Sequence, residues 1–283
     1  MIPAFRFAPS PNGRLHLGHA LSAITGFEMA RAAGGRFLVR IEDIDLARSR
    51  PELIEAIFED LSWLGLTWEQ PVLRQSEHFG VYQAAAARLQ SMGLLYPCFA
   101  TRSEIAAALP AAHGRDPDGA PLYPGPHGIL TAEEIALRKL QGEPFALRID
   151  MARAHDLLGG RPLTFTAIAA DGARSIVTAD PARWGDAVIV RKEVPASYHL
   201  ACVIDDARQG ITHVTRGIDL LPATDLHRLL QVLLELPAPL YHHHRLLTGS
   251  SRRKLSKSAA DTALANFRAE GCTPEDIRRL IGV

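Results

Sequence analysis

The first forty residues place a strand pattern, a turn and a helix pattern in direct succession. The segment AFRFA (4–8) predicts a strand, and proline, asparagine and glycine follow it as turn residues. A helical pattern then runs from Leu17 to about Ala33, where two glycines end it. RFLVRI (36–41) predicts a second strand. A strand, helix and strand of this length predict a parallel βαβ unit, which restricts the chain to the α/β folds.

The rest of the chain also alternates between helix and strand patterns. We therefore predict an α/β fold with a Rossmann-like, doubly wound parallel sheet, carrying an α+β insertion and a short helical C-terminal segment. The predicted core covers residues 1–94 and 187–248, the insertion covers 95–186, and the C-terminal segment covers 249–283.

Local patterns predict individual elements along these segments. PFALRID, LTFTAIA and DAVIVRK predict strands in or near the insertion, and ITHVTRG and LYHHHRLL predict strands in the second half of the core. Capping boxes, in which a Ser or Thr is followed three residues later by an acidic residue, predict three helix starts: Ser49–Glu52, Thr131–Glu134 and Thr273–Asp276.

Composition excludes several function classes. The 283 residues include 31 lysines plus arginines and 31 acidic residues, so any nucleic-acid contact must come from a local basic patch. The chain lacks an apolar run of membrane-spanning length and a secretory signal pattern, so we expect no membrane partner. Cys98, Cys202 and Cys272 are odd in number and widely spaced, which argues against a disulfide framework and favours a reducing cytoplasm.

The turn after the first strand carries residues suited to phosphate binding. In PSPNGRLHLGH (9–19), Gly13 permits a tight turn and Gly18 keeps the first helical turn open to a ligand. The helix N-terminus offers free N–H groups and the positive end of the helix dipole. His16 and His19 lie on the same side of that turn and can both donate hydrogen bonds to phosphate oxygens.

A second motif, KLSKS (254–258), lies near the end of the chain. Its Lys254 and Lys257 place two ammonium groups on one loop, where they can reach a triphosphate from the other side. Taken alone this segment is more typical of a solvated basic loop. The two motifs together, in this order and with a Rossmann-like pattern between them, favour nucleotide binding.

These two motifs resemble those of the class I aminoacyl-tRNA synthetases. HLGH is similar to the HIGH motif of that class, and KLSKS is similar to its KMSKS motif. The strings RFAPSPNGRLHLGH and RIEDID resemble the glutamyl/glutaminyl branch, and the similarity runs from Arg6 to Ser258. The resemblance implies a ligase that uses ATP with Mg²⁺ to convert glutamate into glutamyl-adenylate.

The resemblance also implies roles for individual residues. The catalytic residues would be His16, His19 and Lys257, and ATP would also contact Gly18 and Lys254. The residues that would bind glutamate are Arg6, Ala8, Ser10, Glu42, Tyr198 and Arg216.

The residues alone leave two of these glutamate-binding roles open. Arg216 lies at the end of a predicted strand and can grip a carboxylate, but it is also compatible with a surface turn before Gly217. Glu42 can accept from an ammonium group, but it can instead pair with Arg40 or Arg48.

The chain ends 25 residues after Ser258, where glutamyl-tRNA synthetases continue into an anticodon-binding region. We therefore expect no anticodon-binding domain. In this respect the chain resembles the truncated, stand-alone paralogues of that branch. The resemblance implies a monomer that activates glutamate without tRNA and transfers it to queuosine at the wobble position of tRNA(Asp). Cys202 agrees with this assignment, since full-length relatives usually carry asparagine there; it can also be a small buried apolar residue.

Two alternatives remain open at this point. The chain can be a truncated glutamyl-tRNA synthetase that charges a tRNA 3′ end, or a nucleotide-binding module without transferase activity. Glutamate-dependent exchange of pyrophosphate into ATP separates the second alternative from the enzymes.

The insertion carries a degenerate version of the zinc site that many members of the branch hold. Cys98 is present, Ala100 replaces a second cysteine, Tyr123 is kept, and His127 stands where the last cysteine would be. Three plausible ligands are too few for a closed structural site, so we expect structural zinc to be absent. The run HHH (242–244) is not expected to bind metal either, because alternate residues of a strand face opposite sides; we expect a surface or RNA-facing position.

Overall fold

A computed structural model describes residues 2–110, 113–247 and 262–283 of the chain. The strands in these residues are β1 (Ala4–Phe7), β2 (Arg36–Ile41), β3 (Glu69–Arg74), β4 (Leu95–Cys98), β5 (Ala146–Ile149), β6 (Thr164–Ile168), β7 (Arg174–Thr178), β8 (Val188–Val190), β9 (His213–Gly217) and β10 (Leu240–His244). The helices are α1 (Leu17–Ala32), α2 (Pro51–Trp63), α3 (Phe79–Ser91), α4 (Arg102–Ala108), α5 (Ala132–Leu140), α6 (Met151–Leu158), α7 (Tyr198–Arg208), α8 (Leu221–Leu233), α9 (Leu264–Ala269) and α10 (Pro274–Ile281). None of these described helices is long and apolar enough to cross a membrane.

Seven strands form the main sheet, in the order β3-β2-β1-β9-β10-β6-β7. All neighbouring pairs are parallel except β6 and β7, which are antiparallel. The chain leaves β1 towards β2 on one side, whereas β9 and β10 lie on the other side. The strand order therefore reverses between β1 and β9, and the crevice at their carboxyl ends is where open α/β sheets bind ligands. The predicted α/β class and the predicted parallel βαβ start are confirmed.

Apolar side chains cover both faces of this sheet. Successive residues of a strand point to opposite faces, and accordingly Ala4 belongs to one buried cluster while Phe5 belongs to the other. The first cluster includes side chains of α3, α7 and α8, and the second includes side chains of α1, α2, α9 and α10. Leu264, Ile277 and Ile281 are fully buried in the second cluster. The C-terminal helices are therefore part of the core around the first βαβ unit.

Several strands do not belong to the part of the fold in which the predicted segment boundaries placed them. β6 and β7 fall within the predicted insertion at 95–186, yet they extend the main sheet, where Ala167 pairs with Tyr241. β4, β5 and β8 form a separate antiparallel three-stranded sheet. Strand propensity is a local property of the sequence, whereas the choice of partner depends on contacts between distant residues.

Two of the three predicted capping boxes are present. The Thr131 and Thr273 hydroxyls each accept the backbone N–H three residues later, as predicted for α5 and α10. The prediction for Ser49 is wrong, because α2 begins at Pro51 and its N-cap is Arg50, which makes no side-chain cap. Pro51 fixes a helical φ at the first position and needs no N–H partner there.

Candidate active site

A cavity of about 540 Å³ lies at the carboxyl end of the main sheet, between the ends of β1 and β9. All the described residues that the sequence placed in the ATP and glutamate sites line this one cavity: Arg6, Ala8, Ser10, His16, Gly18, His19, Glu42, Tyr198 and Arg216. The two motif lysines, Lys254 and Lys257, lie outside the described residues. The structure thus brings the sequence candidates together at the point where the topology favours ligand binding.

The two histidines of the HLGH motif cap α1. His16 is the N-cap residue, and its Nδ1 accepts the Gly18 N–H at 3.0 Å. In return, the Nδ1 of His19 accepts the His16 N–H at 3.2 Å. An Nδ1 that accepts a hydrogen bond carries no proton, so the proton of each neutral ring is on Nε2. The caps therefore fix the tautomer in which both rings are Nε2–H donors.

Burial keeps the His19 ring neutral. Its surroundings, with a smaller contribution from His16, lower the pKa of His19 to about 3. The two ring centroids are 3.9 Å apart. Near neutral pH the His19 ring is therefore an uncharged hydrogen-bond donor rather than a cation.

Gly18 also accommodates a neighbouring side chain, which the sequence did not indicate. We expected a side chain at this position to obstruct a ligand over the first helical turn. In the structure, a Cβ there would lie 2.9 Å from Cε1 of His16. The absent side chain therefore makes room for the capping ring of His16.

Arg216 is a buried cation surrounded by neutral acceptors. It is 4% exposed, and its Nη2 donates to the Thr224 hydroxyl at 2.6 Å. Nε and Nη1 contact His243, Tyr198 and His227 at 3.3–3.4 Å. Among residues 2–110, 113–247 and 262–283, no carboxylate lies within ion-pair distance of this guanidinium. A buried charge without a counter-ion favours an anionic ligand in the cavity.

Arg6, by contrast, is already paired. Its Nε and Nη2 lie 3.1 and 3.3 Å from the two carboxylate oxygens of Asp206. Arg40 donates to the same carboxylate at 2.7 Å and to Glu42 at 3.0 Å. Asp206 therefore holds the Nε edge of Arg6, and this edge is not available to grip a ligand carboxylate bidentately. The ion pair that the sequence left open for Glu42 forms with Arg40.

Asp206 and Arg40 are members of this cluster that sequence reasoning missed. Burial opposes ionisation of Asp206, but Arg6 and Arg40 outweigh it and lower its pKa to about 2. Burial raises the pKa of Glu42 in spite of the same two arginines. The available signal was the apolar run LACVI (200–204) directly before Asp205 and Asp206, because an acid next to such a run can be buried only if it is paired.

Cys202 lies directly behind this cluster. Its Sγ is 3.6 Å from Nη2 of both Arg6 and Arg40, and 3.7 Å from Asp206. Burial, reinforced by Asp206 and Glu42, raises the pKa of Cys202 to about 12, so the thiol stays protonated. The side chain is fully buried, but its sulfur contacts charged groups and is not packed as a purely apolar residue.

The three consecutive histidines of β10 are not surface residues. His242 and His244 are each 9% exposed, and His244 lies 2.7 Å from the Ser22 hydroxyl beside the cavity. His243 contacts Arg216 and Thr224. The expected surface or RNA-facing position is therefore wrong, because these rings serve as buried hydrogen-bonding groups.

The degenerate zinc site holds an arginine. The Arg148 Nε donates to the Cys98 Sγ at 3.3 Å, and its guanidinium carbon lies 4.1 Å from the centre of the Tyr123 ring. His127 is exposed, and Ala100 has no ligand atom. Cys98 and Tyr123 are thus the only buried donors left of the predicted set, which are too few for a four-coordinate zinc. The donor set therefore does not fit structural zinc, and the described residues contain no group of three or more His, Cys, Asp or Glu placed to hold a metal.

Comparison with known proteins gives a consistent assignment. The catalytic-domain family described as tRNA synthetases class I (E and Q) matches residues 4–282. A glutamyl-Q tRNA(Asp) synthetase of Rhodobacter capsulatus is 48% identical over 98% of this chain and 99% of its own length. The protein of the same name from Symbiobacterium thermophilum is 42% identical over 96% of this chain and 83% of its own length.

Solved structures show the same architecture. The crystal structure of glutamate-tRNA synthetase from Elizabethkingia anophelis superposes with a TM-score of 0.70 at 28% identity, covering 90% of this chain. The present chain spans about half, 52%, of that longer protein. Methionyl-tRNA synthetase from Mycobacterium tuberculosis, with a TM-score of 0.57 at 13% identity, shares the fold alone. The chain is therefore a ligase of the class I aminoacyl-tRNA synthetases and belongs, within their glutamyl and glutaminyl group, to the family of the glutamyl-Q tRNA(Asp) synthetases.

Proposed function

We propose that the protein activates glutamate with ATP and transfers it to the queuosine base at the wobble position of tRNA(Asp). The observation that carries the first step is Arg216, a buried cation without a carboxylate partner among the described residues, in the same cavity as the histidine-capped start of α1. The names of the two relatives described above support the second step.

Glutamate would bind at the Arg216 end of the cavity. One carboxylate would take the place of the missing counter-ion of Arg216, next to the Tyr198 hydroxyl. Glu42 would accept from the substrate ammonium group, and Arg6, held by Asp206, would contribute positive potential from the wall. Ala8 and Ser10 line the same cavity along the chain segment after β1.

ATP would bind at the other end, over the N-terminus of α1. The Nε2–H groups of His16 and His19 and the helix dipole would face the phosphates, with Gly18 beneath them. We propose that Lys254 and Lys257 hold the β- and γ-phosphates, with Lys257 as the main catalytic cation. Mg²⁺ would accompany ATP as its counter-ion, bound to phosphate oxygens.

Activation is a displacement at the α-phosphorus. A glutamate carboxylate oxygen forms a bond to the α-phosphorus, the bond to the bridging oxygen breaks, and pyrophosphate leaves with the electron pair. The charge that develops on the phosphate oxygens is stabilised by fixed donors that need no rearrangement. Positioning and charge stabilisation are the whole contribution of the protein.

Transfer then uses the energy of the adenylate. A hydroxyl oxygen of the acceptor attacks the carbonyl carbon, the carbon–oxygen bond to AMP breaks, and the hydroxyl proton passes to the departing phosphate. The products are the glutamyl ester and AMP. This step needs no nucleophile from the protein.

Two assays test this proposal in sequence. Exchange of labelled pyrophosphate into ATP, without tRNA and with each amino acid in turn, is expected only with glutamate. Labelled glutamate is then expected to attach to tRNA(Asp) that carries queuosine and not to the same tRNA without it. Equal labelling of the two tRNAs would favour a ligase that charges the 3′ end, and no exchange with any amino acid would contradict activation.

A further inference from the structure

A smaller cavity of about 120 Å³ adjoins the glutamate end of the main cavity. The two cavities share four lining residues: Ser10, Asn12, Glu42 and Tyr198. His16 and His19 line only the larger one. The smaller cavity, which we call the side pocket, therefore opens onto the place proposed for glutamate and not onto that proposed for the triphosphate.

One carboxylate and two guanidinium groups form the polar part of the side pocket. Asp45 Oδ2 accepts from Arg48 Nε at 3.0 Å and from Arg191 Nη1 at 3.1 Å. Asp45 and Arg48 follow β2, whereas Arg191 follows β8 of the three-stranded sheet. The side pocket thus lies where the two sheets meet, and residues from both form its wall.

The charges of this group are partly accessible to solvent. The Asp45 side chain is 21% exposed, and those of Arg48 and Arg191 are 65% and 40% exposed. Burial opposes ionisation of Asp45, but the hydrogen bonds and charges of Arg191 and Arg48 together outweigh it and lower the pKa of Asp45. A carboxylate ionised at neutral pH is thus present at the pocket, together with guanidinium groups that can bind phosphate.

The size of the side pocket limits its occupant. Its volume is somewhat below the roughly 150 Å³ of an engineered cavity that holds one benzene ring, so it suits one small ring and not a whole nucleoside. An ionised carboxylate beside such a space can accept hydrogen bonds from two neighbouring hydroxyl groups. Both acceptors under consideration present this chemistry, because queuosine and a terminal ribose each carry a vicinal diol on a five-membered ring.

We propose that the side pocket binds the vicinal-diol ring of the acceptor, with Asp45 accepting from its hydroxyl groups and with Arg48 and Arg191 contacting the adjoining phosphates. This inference rests on the proposed function. It explains why the pocket opens beside Glu42 and Tyr198, since the attacking hydroxyl has to reach the carbonyl carbon of the bound glutamyl group. The insertion would then contribute to transfer through Arg191, and activation would not depend on that residue.

The test compares activation with transfer in Arg48→Ala, Arg191→Ala and Asp45→Asn. Each variant is assayed for glutamate-dependent pyrophosphate exchange without tRNA, and for transfer of labelled glutamate to tRNA(Asp) with and without queuosine. We expect transfer, measured as kcat/KM for the tRNA, to fall at least tenfold while exchange stays within about twofold of the wild type. The tRNA that the wild-type protein labels identifies the source of the diol.

Arg36→Ala is the matched control. Arg36 also forms an exposed ion pair, with Glu69 at 2.6 Å and 40% side-chain exposure, but it lies at the amino end of β2, away from the cavities. This variant should keep both activities. Unchanged transfer in all three pocket variants would overturn the proposal, and so would an equal loss of exchange and transfer. Failure of the wild-type protein to label either tRNA would instead contradict the proposed function, and this proposal with it.

Discussion

Asp206 connects the two arginines that lie beside the proposed glutamate site. Its carboxylate bonds Arg6 and Arg40 at once, and it is 5% exposed. The family resemblance implied Arg6 as a glutamate-binding residue, but it did not indicate the partner. The pairing joins residues 200 positions apart, and no local pattern encodes such a contact.

We expect Asp206→Asn to destabilise the fold. The substitution keeps the shape of the side chain but leaves two buried guanidinium groups with less compensating charge. Removing one partner of a buried ion pair costs about 3–5 kcal/mol, so we expect the free energy of unfolding to fall by about 3 kcal/mol. Urea denaturation near neutral pH measures this difference, and a change below about 1 kcal/mol would contradict the assigned role.

The same variant should differ less from the wild type in acid. The folded-state pKa of Asp206 is about 2, which is below the unfolded value of about 3.9. Its contribution is therefore complete above the unfolded pKa and is lost as the pH falls through the folded pKa. The stability gap between wild type and Asp206→Asn should narrow between about pH 4 and about pH 2. A gap that is constant or widens over this range would contradict the assignment.

His19 allows its two ring nitrogens to be tested separately. Asparagine resembles the Nδ1 edge of histidine, so His19→Asn should keep the cap on α1 and remove the Nε2–H donor. We expect pyrophosphate exchange to fall by about 10²–10³-fold, as for the loss of one preorganised donor, with little change in Tm. His19→Gln, whose amide nitrogen reaches nearer the Nε2 position, should retain more activity. The reverse order of the two variants would show that the cap matters and the donor does not.

At the scale of helices and strands, the sequence predicted those elements that depend on patterns within a short segment. The turn and cap residues around α1, and the apolar patterns of β1, β2 and β9, correspond to observed elements. β3 gave no clear pattern because it contains Pro71, and an edge strand is where a sheet tolerates proline. The joining of β6 and β7 to the main sheet depends on the pairing of β6 with β10, which no segment shows by itself.

In the three-stranded sheet, an arginine packs against the residues that correspond to the degenerate zinc site. Arg148 of β5 contacts Cys98 of β4, the Tyr123 ring, and the Asp186 carbonyl at 2.7 Å. We expect protein purified without added metal to contain far less than one zinc per chain. Elemental analysis of the purified protein measures this, and one zinc per chain would contradict the conclusion that the remaining donors are too few.

At the scale of the whole molecule, the cavity depends on segments from distant parts of the chain. β1 and α1 supply the histidine end, α7 and β9 supply Tyr198 and Arg216, and the three-stranded sheet adds Arg191 at the side pocket. The balanced overall charge gave no indication of this distribution. The site therefore forms only when the main sheet is complete, and its electrostatic character is local.

The central claim is that Arg216 selects an acidic amino acid for activation. Pyrophosphate exchange with a panel of amino acids, in wild type and Arg216→Gln, tests it most directly. We predict exchange with glutamate alone in the wild type, and a loss of about a hundredfold in kcat/KM for glutamate in the variant, since one partner of a buried charge pair is removed. Exchange that prefers another amino acid, or a folded Arg216→Gln protein with undiminished glutamate activation, would contradict the account.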